Sequence, residues 1–64
     1  MHIKVAELVG ESPNGWRAAV QAAVDEASRT FGDIVGVEVL NLTANVENGR
    51  VTEYKANVKI AYKG

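Results

Sequence analysis

The sheet this chain encodes is too long for its only helix. Ser12 to Phe31 reads as a single amphipathic helix, and Ile34–Val46 and Val51–Lys63 read as two long strands joined by Glu47-Asn48-Gly49-Arg50. At ~3.3 Å per residue each strand would reach ~40 Å, while the helix, at ~1.5 Å per residue, covers ~28 Å. The overhang and the whole far face of the sheet therefore need another cover. Symmetric copies of the same chain are the simplest source.

At 64 residues the chain is one domain, 1–64. A core of that size rarely supplies more than ~3–5 kcal/mol unaided. There are no cysteines, so disulfides and thiolate metal sites are excluded, and oligomerisation is the reinforcement left. A net charge of −1 and a pI near 5.7 give no electrostatic footprint for nucleic acid or an acidic membrane. No apolar run approaches the ~20 residues of a membrane span, and no signal-like segment opens the chain. The expectation is a soluble, cytoplasmic protein.

Ser12 reads as the helix N-cap, with Pro13 in the first turn, where its missing N–H costs nothing. Trp16, Ala19, Val20, Ala23, Val24, Ala27 and Phe31 recur at helical spacing and form one apolar stripe. Its alanines would let the helix approach a sheet closely. Arg17, Gln21, Asp25 and Ser28 lie opposite, and Asp25 precedes Arg29 by four, a mildly favourable pair. Gly32 supplies the stop.

Asn48-Gly49 is a strong signal for a type I′ hairpin turn. Pairing Glu47 with Arg50 then sets Val39 opposite Val58, Val37 opposite Ile60 and Val35 opposite Tyr62. With Tyr54 and Ala56 these form an apolar face for the helix. The other face carries Gly36, Glu38, Leu40, Leu42, Ala44 and Val46 opposite Ala61, Lys59, Asn57, Lys55, Glu53 and Val51. Glu38 against Lys59 is a favourable cross-strand pair. Its mixture of aliphatic and charged residues suits an interface or a ligand-lined inner surface. A first strand, roughly Ile3 to Val9, would pair beside the third. The fold class is α+β: a β-α-β-β subunit whose three-stranded antiparallel sheet wraps one helix.

Three stretches carry a resemblance to a known family. They are Val5-Ala6-Glu7-Leu8-Val9-Gly10-Glu11-Ser12-Pro13, Val37-Glu38-Val39 after the alanine-rich helix, and Tyr54-Lys55-Ala56-Asn57-Val58-Lys59-Ile60-Ala61-Tyr62. In this order and spacing the chain resembles the dodecin family over essentially its whole length. The resemblance implies a hollow homododecamer of cubic symmetry, and a non-enzymatic small-ligand-binding protein. Family members with the ligand signature store or buffer flavins, FMN or riboflavin.

That signature is where this sequence departs from the family. Flavin-binding dodecins have a tryptophan immediately before the residue equivalent to Val37, and two symmetry-related copies of it enclose the isoalloxazine ring. Here that position is Gly36. A glutamine of the last strand normally meets the ring's polar edge, and here it is Lys55. Aromatic stacking on a base is worth ~1–3 kcal/mol by alanine substitution. Losing it on both sides amounts to roughly 2–6 kcal/mol, or about one and a half to four orders of magnitude in affinity. Lysine can donate to a flavin carbonyl but cannot accept from the ring imide. By family position the ligand-binding residues are Gly36, Val37, Glu38, Lys55 and Asn57, with weak or altered flavin binding. Some dodecin-like proteins lacking the tryptophan are described as calcium-associated, so the alternative is a shell with a structural or calcium-binding role and no flavin.

Other residues carry less. Asp33, Glu38, Asn41, Asn45 and Glu47 offer oxygen ligands for a hard cation without EF-hand spacing, and Glu38, Asn41 and Asn45 are the metal candidates. Trp16 could stack on a ligand, but its place on the stripe favours core packing. Lys55, Lys59 and Lys63 read as a solvated or paired face rather than a polyanion row. His2 is the only histidine, and with no cysteine and no Gly-rich phosphate loop no nucleophile–base pair or nucleotide cradle assembles. Tyr54 and Tyr62 fall on the helix-packed face, which argues against RNA stacking on the sheet.

Overall fold

A computed structural model describes residues 2–64. The chain runs as strand β1 (Ile3–Ser12), helix α1 (Trp16–Phe31), strand β2 (Ile34–Glu47) and strand β3 (Arg50–Lys63). The antiparallel sheet has the order β1-β3-β2, so the first strand does pair beside the third. The length mismatch is larger than the sequence implies. Two 14-residue strands reach ~46 Å, the 16-residue helix covers ~24 Å, and the molecule measures 49 × 19 × 13 Å.

The core sits where α1 crosses β3. Ala19, Ala23 and Ala27 of the helix and Ala56, Val58 and Ile60 of the strand are buried. Alanines four apart give the helix a flat side, and Gly10 of β1 lies directly beneath it. A β-carbon at Gly10 would run into the Ala19 carbonyl oxygen and come within 2.9 Å of the Ala23 backbone nitrogen. Two aromatic pairs pin the helix ends: Phe31 stacks on Tyr62 at 4.5 Å, and Trp16 meets Tyr54 edge-on at 4.9 Å.

Trp16 is not a core residue, as the stripe suggested. It is the first residue of the helix, 42% exposed, and its indole Nε1 donates to the Thr43 carbonyl of β2 at 2.9 Å. It bridges the open end of the helix to the sheet that overhangs it. Ser12 differs too. It ends β1, paired with Tyr54, and its buried hydroxyl accepts from the Asn14 N–H at 3.0 Å, while the helix starts after Gly15 with no side-chain cap. The long β3 offers pairing partners through Tyr54, and strand pairing outweighs the local capping signal. On the outer helix face Arg29 bonds to Glu26 at 2.7 Å rather than to Asp25, which accepts from Gln21. Gly32 ends the helix with φ +90°.

The turn is as expected: Asn48 and Gly49 have φ of 52° and 77°, and Glu47 faces Arg50. The register is not uniform. Irregularities leave Val35 and Leu40 of β2 and Thr52 of β3 without partners, and the Thr52 hydroxyl donates to the Asn45 carbonyl at 3.4 Å. Val39–Val58, Val37–Ile60, Glu38–Lys59, Gly36–Ala61 and Val46–Val51 pair as predicted. Val35 does not meet Tyr62; Ile34 does. Between the bulges β2 slips by one, so Leu42 faces Ala56 and Ala44 faces Tyr54. A one-residue slip exchanges the faces of a strand. Leu42 and Ala44 therefore lie on the helix side, and Asn41, Thr43 and Asn45 take the far face. Strands of this length carry strong twist, and bulges relieve it at places that alternation alone does not mark.

The helix lies over β1 and β3 and touches β2 least. Val37, Val39 and Leu42 are left 42–48% exposed on that side. Among the described residues no helix is long and apolar enough to cross a membrane.

Candidate functional site

Alternation along the strands arranges the far face in cross-strand rows. Val5, Ala61 and Gly36 form one row, and Glu7, Lys59 and Glu38 form the next. Gly36 and Ala61 are small, so the first row makes a shallow apolar floor, and the second stands beside it as a charged rim. A cleft of about 250 Å³ opens there, lined by Val5, Gly36, Ala61, Glu38 and Lys59, with Val37 and Ile60 behind. At Gly36 an added β-carbon would meet only the Ala61 β-carbon, at 3.9 Å. That position has room for a side chain.

Three of the residues assigned by family position, Gly36, Val37 and Glu38, line this cleft. Asn57 and Lys55 lie on the same face of β3 but four and six residues from Ala61, roughly 13 and 20 Å along the strand. One chain cannot set Gly36 and Lys55 against the same small ring, whereas a second copy could supply the missing half. Lys55 is held by Glu11 of β1 at 3.9 Å, and Asn57 faces Val9 and Asn41. The Glu38–Lys59 cross-strand pairing is as expected. The two are directly opposite, but the ion pairs among the described residues are Lys55–Glu11 and Arg29–Glu26.

The metal candidates Glu38, Asn41 and Asn45 share the far face, opposite Lys59, Asn57 and Glu53. Glu38 and Asn45 are therefore about 20 Å apart along the sheet. Among the described residues no group of three or more histidine, cysteine, aspartate or glutamate side chains gathers as a cation site. Val5 and the pairing of Glu7 with Lys59 were not singled out from the sequence. Hairpin arithmetic fixes how β2 meets β3, but nothing equivalent fixes the register of β1.

The sequence model of the Dodecin family matches residues 3–64. This chain belongs to the dodecin family. A dodecin from Thermus thermophilus is 32% identical over 60 residues, covering 94% of this chain and 87% of the relative. Among solved structures, the dodecin of Streptomyces coelicolor superposes with a TM-score of 0.90 at 33% identity, over 95% of this chain and 87% of that one. A calcium dodecin from Mycobacterium tuberculosis, described as calcium chelating, superposes with a TM-score of 0.85 at 26% identity, over 100% and 91%. Dodecins bind small ligands, flavins among them, and form homo-oligomers; dodecamer assembly is known for the family.

Proposed function

We propose that this dodecin is a non-enzymatic, homododecameric binding shell whose ligand cleft takes flavin only weakly. The observation that carries this reading is the bare floor at Gly36. The residue that stacks on flavin in the family's signature is replaced by one with no side chain, at a point of the cleft where an added β-carbon meets only Ala61. What remains is a shallow surface of Val5, Gly36 and Ala61, which offers contact area without an aromatic face. Lys55 stands where the signature has glutamine, and its ammonium is directed to Glu11.

Titrating riboflavin and FMN into the assembled protein, following quenching of flavin fluorescence, tests this. Half-saturation is expected well above the concentrations at which tryptophan-bearing relatives measured alongside are filled. Tight binding at parity with them would overturn the reading.

The likeness to a calcium dodecin supports a second reading, in which the shell binds calcium. Glu38 and Asn41 are neighbours on one face while Asn45 lies further along the strand, so an ion using all three would draw them from different copies. Calorimetric titration with calcium separates the readings: saturable heat together with no flavin binding favours the second.

A further inference from the structure

Asparagine followed by glycine occurs twice in this chain, as Asn14-Gly15 and Asn48-Gly49, and the fold treats the two differently. Both asparagines are exposed, and a β-carbon at either glycine would meet nothing within 4 Å, so the following main-chain nitrogen is unshielded. Asn14 is tied in. Its N–H donates to the buried Ser12 hydroxyl at 3.0 Å, the Gly15 carbonyl accepts from the Ala19 N–H at 3.0 Å, and the next residue, Trp16, is bonded to Thr43. Asn48 stands at the hairpin tip, with φ +52°. Trp16 meets β2 at Thr43, so the tip projects ~17 Å past the start of the helix. Only the Val46–Val51 and Glu47–Arg50 pairs lie between the turn and the break in register at Asn45/Val46. The Gly49 N–H makes no hydrogen bond among the described residues.

We propose that Asn48 is a site of spontaneous covalent modification, deamidation through a cyclic imide, with its rate set by opening of the hairpin tip. The Gly49 main-chain nitrogen attacks the Asn48 side-chain carbonyl carbon. A new C–N bond forms, the bond to the side-chain nitrogen breaks, and ammonia leaves with the proton that Gly49 gives up. Water then adds to one of the two imide carbonyls and opens the ring to aspartate or isoaspartate; nothing is oxidised or reduced. Ring closure needs the main chain at Asn48 to rotate until the reacting atoms meet at ~3–3.5 Å, so the rate follows how readily the segment opens. At the tip, opening disrupts two residue pairs. Rotation at Asn14 would instead pull Gly15 away from the first turn of the helix. Each conversion at Asn48 adds one negative charge to a chain of net charge −1 and sets a carboxylate beside Glu47. The aspartate product keeps a turn that Asp-Gly suits, whereas isoaspartate inserts an extra main-chain atom and breaks the Glu47–Arg50 register.

The test ages the assembled protein in mildly alkaline buffer and follows both sites by tandem mass spectrometry of tryptic peptides. Cleavage after Lys4, Arg17, Arg29 and Arg50 places Asn14 and Asn48 in separate peptides. Asn48 is expected to convert about tenfold faster than Asn14. In urea, where both segments are unfolded, the two rates should agree within about threefold, because the dipeptide is the same. Equal rates in the assembled protein, or faster conversion at Asn14, overturn the proposal. Conversion at neither site in the assembly but at both in urea also overturns it, since the tip is then held closed. So does a preference for Asn48 that persists undiminished in urea, which would owe nothing to the fold.

Discussion

Gly10→Ala is expected to cost this protein its assembled fold. Gly10 does not have positive φ, so alanine is compatible with its backbone. Such a change would by itself stabilise by ~0.4–1 kcal/mol through the unfolded chain. Packing reverses the sign. The new methyl would point into the backbone of α1 at Ala19 and Ala23, and neither strand nor helix yields easily. Gly10 is paired with Ala56 in the sheet, and the helix is seated on Gly10's neighbours through its buried alanines. Overpacking typically costs ~1–3 kcal/mol, occasionally more. An obstruction made of backbone puts this case at ~3 kcal/mol or above, comparable to the whole supply of a core this small. Gly36→Ala is the control, since it meets only Ala61 at van der Waals distance. In urea denaturation at fixed protein concentration, Gly36→Ala should keep the wild-type midpoint, whereas Gly10→Ala should lose most of it or fail to assemble. A wild-type midpoint for Gly10→Ala would show that the helix does not rest on β1 in this way.

Gly36→Trp combined with Lys55→Gln is expected to raise riboflavin affinity at least tenfold. Stacking on an aromatic side chain is worth ~1–3 kcal/mol, and tenfold is ~1.4 kcal/mol. One productive ring in the middle of that range meets the threshold, and two, one from each copy, exceed it even at its lower end. The glutamine side chain would add an edge group that both donates and accepts. The open position at Gly36 makes the substitution sterically reasonable. Fluorescence quenching on matched assemblies measures the effect. Equal, negligible binding by both proteins, with assembly intact, would place the two residues outside any flavin cleft.

The sequence made the helix and the hairpin legible because each has a local or periodic signal. Asn48-Gly49 marks the turn, alanines at four-residue spacing mark the buried side of the helix, and Gly32 marks its end. The misread features are those decided by distant partners. Ser12 carries a capping signal but joins a strand because Tyr54 is there to pair with it. Trp16 fits the apolar stripe yet ends up bonded to Thr43, since the helix begins where the sheet continues beyond it. Leu42 and Ala44 change faces because bulges interrupt the alternation of β2. Of the candidate site, Gly36, Val37 and Glu38 come together on one strand, while Lys55 and Asn57 are separated from them by strand length. That separation is visible only once the register of all three strands is known.

A shared cleft requires that copies of this chain assemble and bring Lys55 of one copy toward Gly36 of another. The direct measurement is mass by light scattering at micromolar concentration in neutral buffer. The expected value is about 83 kDa, twelve copies of a 6.9 kDa chain. A dominant species at the monomer mass would contradict the shell and the shared cleft together.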